Sequence, residues 1–105
     1  MPDKNIIDKI INLILQVIVP DKIILFGSQA RGEARPDSDY DILVVLLSNE
    51  NELQVGKKIY RNMVNLNEPV GVDIIVKSPE GLERSKNLFV SVVKEALQEG
   101  IVVYG

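Results

Sequence analysis

The sequence predicts an α/β (α+β) domain: a mixed sheet of three to four strands with helices packed against it, in the order α-β-β-α-β-α-β. Three observations carry that reading. Apolar residues recur at helical spacing near both ends of the chain, and short β-rich runs lie between them. The links between those runs differ in length, which sets the strand directions.

Ile6, Ile7, Ile10, Ile11, Ile14, Val17 and Ile18 form the first helical stripe, with Asp3 placed to start the helix and Pro20 to end it. "KIILF" at 22–26 is a short strand that stops at Gly27. "YDILVVLL" at 40–47 is an almost wholly apolar strand of the kind buried on both faces. Asn49 with Glu52 three residues on resembles a capping box, and Leu53, Gly56, Ile59, Tyr60 and Met63 continue it as an amphipathic helix ending before Pro69. "VGVDIIV" at 70–76 is the third strand. Ser78-Pro79 reads as an N-cap followed by proline at the first helical position. Phe89, Val92, Val93, Ala96 and Leu97 are the stripe of one last helix, closed by Gly100. "IVVY" at 101–104 adds a fourth, edge strand. The short link after strand one allows an antiparallel pair, while the helical crossover after strand two implies a parallel one. Strand two therefore belongs in the middle. Tyr60, Phe89 and Tyr104 read as packing residues.

Residues 1–105 are expected to make a single domain with one hydrophobic core, too short to carry a separate substrate domain. With neither cysteine nor histidine in the sequence, disulfides, Cys/His zinc sites, thiol nucleophiles and imidazole bases are excluded. Any metal must be held by oxygen. A net charge of −3 disfavours bulk electrostatic gripping of nucleic acid, so no direct nucleic-acid partner is expected. The composition suits the cytoplasm. The run "IIDKIINLILQVIV" is interrupted by Asp8, Lys9 and Asn12 and is too short to cross a bilayer.

The chemistry concentrates in "FGSQARGEARPDSDYDILVV", residues 26–45. Strand alternation places Asp39 and Asp41 on one face, their Cα atoms roughly 7 Å apart, with Leu43, Val45 and Leu47 continuing that face. Two carboxylates so close repel unless a cation neutralises them, and Mg²⁺ is the natural candidate for an oxygen-only site. Asp73 is the one acid inside the third strand. If that strand lies parallel to the second, Asp73 can reach the metal or take a proton from an attacking hydroxyl. Gly27 lets the backbone approach a ligand, and Ser28 can cap a helical turn that begins there, which makes an anion site. Arg31 and Arg35 lie nearby, where one or both could contact phosphate. Asp37 reads as a turn former.

"GSQARGEARPDSDYD", with Asp73 downstream, resembles the glycine-serine and paired-aspartate signature of the polymerase-β-like nucleotidyltransferases. Ala30-Arg31-Gly32, the Arg35-Pro36-Asp37-Ser38 lead-in and the short length resemble the minimal nucleotidyltransferase (MNT) group, the antitoxins of HEPN/MNT toxin-antitoxin pairs. The resemblance implies the polymerase-β-like fold. It implies that Gly27, Ser28, Arg31 and Ser38 bind the nucleotide, and that Asp39, Asp41 and Asp73 are catalytic and bind metal, with two Mg²⁺ ions. It further implies transfer of AMP from ATP to a hydroxyl, a tyrosine on a helical HEPN-domain toxin. Two alternatives stay open: an antitoxin that acts by contact alone, and a subunit that modifies a small-molecule hydroxyl.

Overall fold

The computed structural model describes residues 3–33, 35, 38–86 and 91–105. Helix α1 spans Lys4–Leu15, and its start is set as expected: the Asp3 carboxylate accepts from the N–H groups of Asn5 (2.9 Å) and Ile6 (3.4 Å). It ends before Pro20. Val17 and Ile18 lie beyond the helix and pack on the core from the following turn.

Strand β1, Lys22–Phe26, runs directly into a short helix α2, Gly27–Arg31. Strand β2 is Tyr40–Val45, shorter than its apolar run: Leu46 is still buried but Leu47 is 63% exposed, so it does not continue the face of Asp41. Helix α3 spans Glu52–Met63 and is capped by Asn51, whose side chain accepts from Gln54 N–H (3.0 Å). The expected capping box from Asn49 does not form. Asn49 instead accepts from Glu80 N–H (3.0 Å), and Glu52 accepts from the N–H (2.7 Å) and hydroxyl (3.1 Å) of Ser78, tying the start of α3 to the far end of the sheet. A 3₁₀ turn, Val64–Leu66, leads to strand β3, Val72–Lys77.

Ser78 caps helix α4, Pro79–Lys86, through its hydroxyl, which accepts from Gly81 N–H (3.1 Å). The expected single last helix is two, because α5, Val92–Glu99, starts afresh at its own cap, Ser91, which accepts from Val93 and Lys94. A serine at that position offers the backbone a cap in competition with continued helix. Val93 and Ala96 are buried as expected. Val92 and Leu97 are exposed, and Phe89 lies outside the described residues. Strand β4, Ile101–Tyr104, closes the chain.

The sheet order is β3-β2-β1-β4, with β1 antiparallel to both β2 and β4, and β2 parallel to β3. That is the mixed sheet with strand two inside. Ile42, Val44 and Leu46 join Ile10, Ile14 and Ile59 in a core on the α1/α3 face, whereas Leu43 and Val45 pack with Ile24, Phe26, Val93 and Ala96 on the α5 face. Covering both faces of β2 is what lets its apolar run leave water. Tyr104 packs against the first cluster, but Tyr60 is 53% exposed and is not a packing residue of this chain.

Ile14 is fully buried and Val64 is 81% exposed. Ile14→Ala should therefore cost about 2–5 kcal/mol in urea unfolding, while Val64→Ala stays within about 0.5 kcal/mol. Equal costs would contradict the placement of α1 over the sheet.

Candidate functional site

Parallel pairing sets Asp41 opposite Asp73, and antiparallel pairing sets Asp41 opposite Phe26, the last residue before α2. Partners in register share a face, so Asp41 and Asp73 stand side by side on the α5 side of the sheet, at the ends of β2 and β3 where Asp39 leads in. The expected meeting of Asp73 with the aspartate pair is thus a matter of register. Asp41 is half-buried, and Asp39 and Asp73 are exposed.

Two glycines fit closely around these carboxylates. Gly27 adopts φ +74°, a left-handed conformation that disfavours a side chain, and a Cβ there would collide with Asp41 Oδ2. A Cβ on Gly71 would collide with Asp39 Oδ1 in the same way. Gly27 was expected to make room for a ligand; what it makes room for here is an acid.

Ser28 does not cap α2. The N-cap is Phe26, with no side-chain hydrogen bond, and Ser28 sits within the first turn, half-buried at the end of β1. Ser38 closes a local turn: its hydroxyl accepts from Arg35 N–H (2.8 Å) and its own N–H donates to the Arg35 carbonyl (3.0 Å). Asp37 lies outside the described residues. Arg35 is exposed. Arg31 is held by acids, with Nη1 donating to Glu95 Oε1 (2.9 Å), Nε 3.3 Å from Glu33 Oε1, and Glu99 Oε2 at 3.9 Å.

Sequence reasoning missed two members of this neighbourhood. Gln29 is buried, and its Nε2 donates to the Ser38 carbonyl (3.1 Å), pinning α2 to the segment that delivers Asp39. Glu95 fixes Arg31 and adds negative charge near Asp41. The signal for Gln29 was its place inside the motif; Glu95 gave none, since contact between α5 and α2 appears only in the fold.

Burial raises the Asp41 pKa above its ordinary value, and the charges of Asp73, Asp39 and Glu95 raise it further, against a lowering by Arg31. Among the described residues no group of three acids stands close enough to form a complete metal cage. The donor set nevertheless fits a hard cation: it is all oxygen, it carries like-charge repulsion that Arg31 only partly offsets, and Gly27 and Gly71 leave room for the carboxylates of Asp41 and Asp39.

A family model described as a nucleotidyltransferase domain matches residues 7–103. The fold is similar to that of a candidate nucleotidyltransferase from Sulfolobus solfataricus, at 21% identity and TM-score 0.60, over 93% of this chain and 76% of that one. It is similar also to a chain of a toxin-antitoxin structure with AMP-PNP, at 23% identity and TM-score 0.60, over 93% of this chain and 72% of that one. No curated protein matches.

The raised pKa has a sign that can be checked. A folded pKa above the unfolded one means that the folded chain binds more protons between the two values, so Asp41 costs stability progressively as pH rises through that window. Asp41→Asn should raise the melting temperature of the metal-free protein at pH 7, and the gain should vanish once pH falls below the ordinary aspartate range. A gain that persists unchanged in acid would trace to packing and not to charge.

Proposed function

The chain belongs to the nucleotidyltransferase domain family, and from that premise we propose that it transfers AMP from ATP to a hydroxyl on a protein partner, a tyrosine of a helical HEPN-domain toxin, in a Mg²⁺-dependent reaction. The observation that carries this reading is the parallel register that sets Asp73 beside Asp41, with Gly27 and Gly71 fitted against the carboxylates of Asp41 and Asp39. Three acids held on one face of a sheet end have no packing purpose. Their repulsion is a cost that a purely steric inhibitor would not need.

Asp39, Asp41 and Asp73 would hold the cation, which when bound supplies charge neutralisation and Lewis-acid polarisation of the phosphates. The chain's own residues do the rest. The junction of Gly27 and Ser28 presents the first-turn N–H groups of α2 beside the acids, where a triphosphate can be oriented. Arg31 adds a cation at the same mouth, positioned by Glu95. Asp73, exposed on the edge strand, would accept the proton of an incoming hydroxyl. A tyrosine phenol, with a pKa near ~10, needs such help at neutral pH. The oxygen so freed attacks the α-phosphorus, a P–O bond forms to the acceptor, and pyrophosphate leaves with the electrons of the bond that breaks. Added charge and bulk on the partner give a physical route to its inactivation. The neighbour crystallised as a toxin-antitoxin with AMP-PNP is in keeping with both nucleotide and partner.

Co-incubation of this chain with its helical partner, ATP and Mg²⁺, followed by intact-mass spectrometry of the partner, should show a gain of one nucleoside monophosphate. Asp39→Asn and Asp41→Asn should each abolish the gain while circular dichroism stays unchanged. An unmodified partner that is nonetheless neutralised, equally well by the double variant, would leave only an antitoxin that works by contact.

Asp73→Asn separates the roles further. As a proton acceptor it should lower turnover by about 10²–10⁴-fold with far less effect on Mg-ATP affinity measured by titration. Affinity that collapses in step with turnover would make Asp73 a primary ligand of the cation that carries ATP and remove the general-base role.

A further inference from the structure

Strand β3 is at the edge of the sheet, and no described strand pairs with its outer side. Tyr40 N–H donates to the Gly71 carbonyl and Leu46 N–H to the Lys77 carbonyl, each at 2.9 Å. Odd-numbered residues of β3 therefore turn their backbone groups inward to β2, and Val72, Ile74 and Val76 turn theirs outward. Beside this open edge, α3 exposes Leu53 (68%) and Tyr60 (53%). Together with Gly56, Ile74 and Val76 they line an apolar groove of about 590 Å³. An unpaired edge next to exposed apolar side chains is a surface that folded chains normally cover.

The charges on this surface are self-complementary. β3 carries Asp73 near one end and Lys77 at the other, and α3 carries Glu52 at its start and Arg61 in its last turn. The two elements are level: a Cβ on Gly56 would lie 3.7 Å from Val76 Cγ2, and Glu52 meets Ser78 just past Lys77.

We propose that this edge and groove are the contact between two copies of this chain, with β3 pairing antiparallel to β3 of the second copy about a two-fold axis at Ile75. In that register Ile74 and Val76 of the second copy, whose backbone groups both face outward, exchange hydrogen bonds. Asp73 then falls opposite Lys77 of the second copy as a pair without backbone hydrogen bonds, the closer of the two kinds. Sliding by two residues either way places Asp73 opposite Ile75 or Pro79 and loses both ion pairs. Sliding by one sets outward backbone groups against inward ones. About the same axis, antiparallel α3 helices bring Leu53 to Tyr60 and Glu52 to Arg61, and the stem of Lys57 meets the space left by Gly56. Strand and helix thus ask for one centre, and the resulting interface is isologous. A second copy pairs Asp73 with Lys77 and Glu52 with Arg61 by symmetry alone. This proposal does not rest on the reaction assigned above, although Asp73 takes part in both.

Sedimentation equilibrium of the purified chain should give twice its 11.7 kDa mass. Lys77→Asp, which sets acid against Asp73, and Tyr60→Lys, which places a charge in the groove, should each give a monomer with an unchanged circular dichroism spectrum. Exchanging the charges, Asp73→Lys with Lys77→Asp, should restore the dimer. Lys77→Asp also loses a contact with Glu52 at 4.0 Å, so Tyr60→Lys decides the matter if that variant fails to fold. The proposal is overturned by a wild-type chain that stays monomeric at high concentration, including one that assembles only with a different protein. A dimer that survives Tyr60→Lys overturns it as well.

Discussion

The parallel register between β2 and β3 is the constraint on which the rest of the structure depends. Because side chains alternate with period two, a slip of one residue would send Asp73 to the α1/α3 face while Asp41 stayed on the other. The slip is prevented from both sides of the sheet. Ile42 and Val44 are committed to one apolar cluster, Leu43 and Val45 to the other, and Ile74, Ile75 and Val76 of β3 divide in the same way. The acids are placed by apolar residues committed to the two faces of the sheet.

That arrangement also explains why the site lies at the rim. Helices cover both faces of the central strand β2, and the acids lie at the end of that cover. The acids sit where β2 and β3 begin and β1 ends, with Asp41 only half-buried and Asp39 and Asp73 exposed. Gln29 and Glu95 steady this rim, one by holding the approach to Asp39 and the other by holding Arg31.

The elements that follow from one-dimensional patterns were legible in the sequence. The first helix with its Asp3 cap, the buried central strand, the Ser78 cap, the edge strand at 101–104 and the strand directions all follow from period and link length. Where two local solutions compete, the pattern could not choose. Asn49 and Asn51 can each cap a helix, and the choice fell to Asn51 because Asn49 and Glu52 are drawn to the turn after β3. Ser91 restarts a helix whose stripe looked continuous. In the motif, the grouping of Gly27, Asp39, Asp41 and Asp73 was legible from spacing once the strands were known. The partners of Arg31 were not, since Glu95 and Glu99 reach it across 64 and 68 residues of chain.

The acid site and the open edge of β3 share Asp73 and approach it from different directions. Backbone hydrogen bonds of a strand lie in the plane of the sheet, while side chains stand perpendicular to it. A strand added beside β3 would occupy the plane and bring Lys77 of the second copy up beside Asp73, while Asp41 lies one strand further in. Among the three acids the electrostatic burden then falls on Asp41, the one that is half-buried and whose proton affinity its neighbours already raise. Asp73, on the edge strand, meets what comes from outside, while Asp41 is the acid that the fold surrounds.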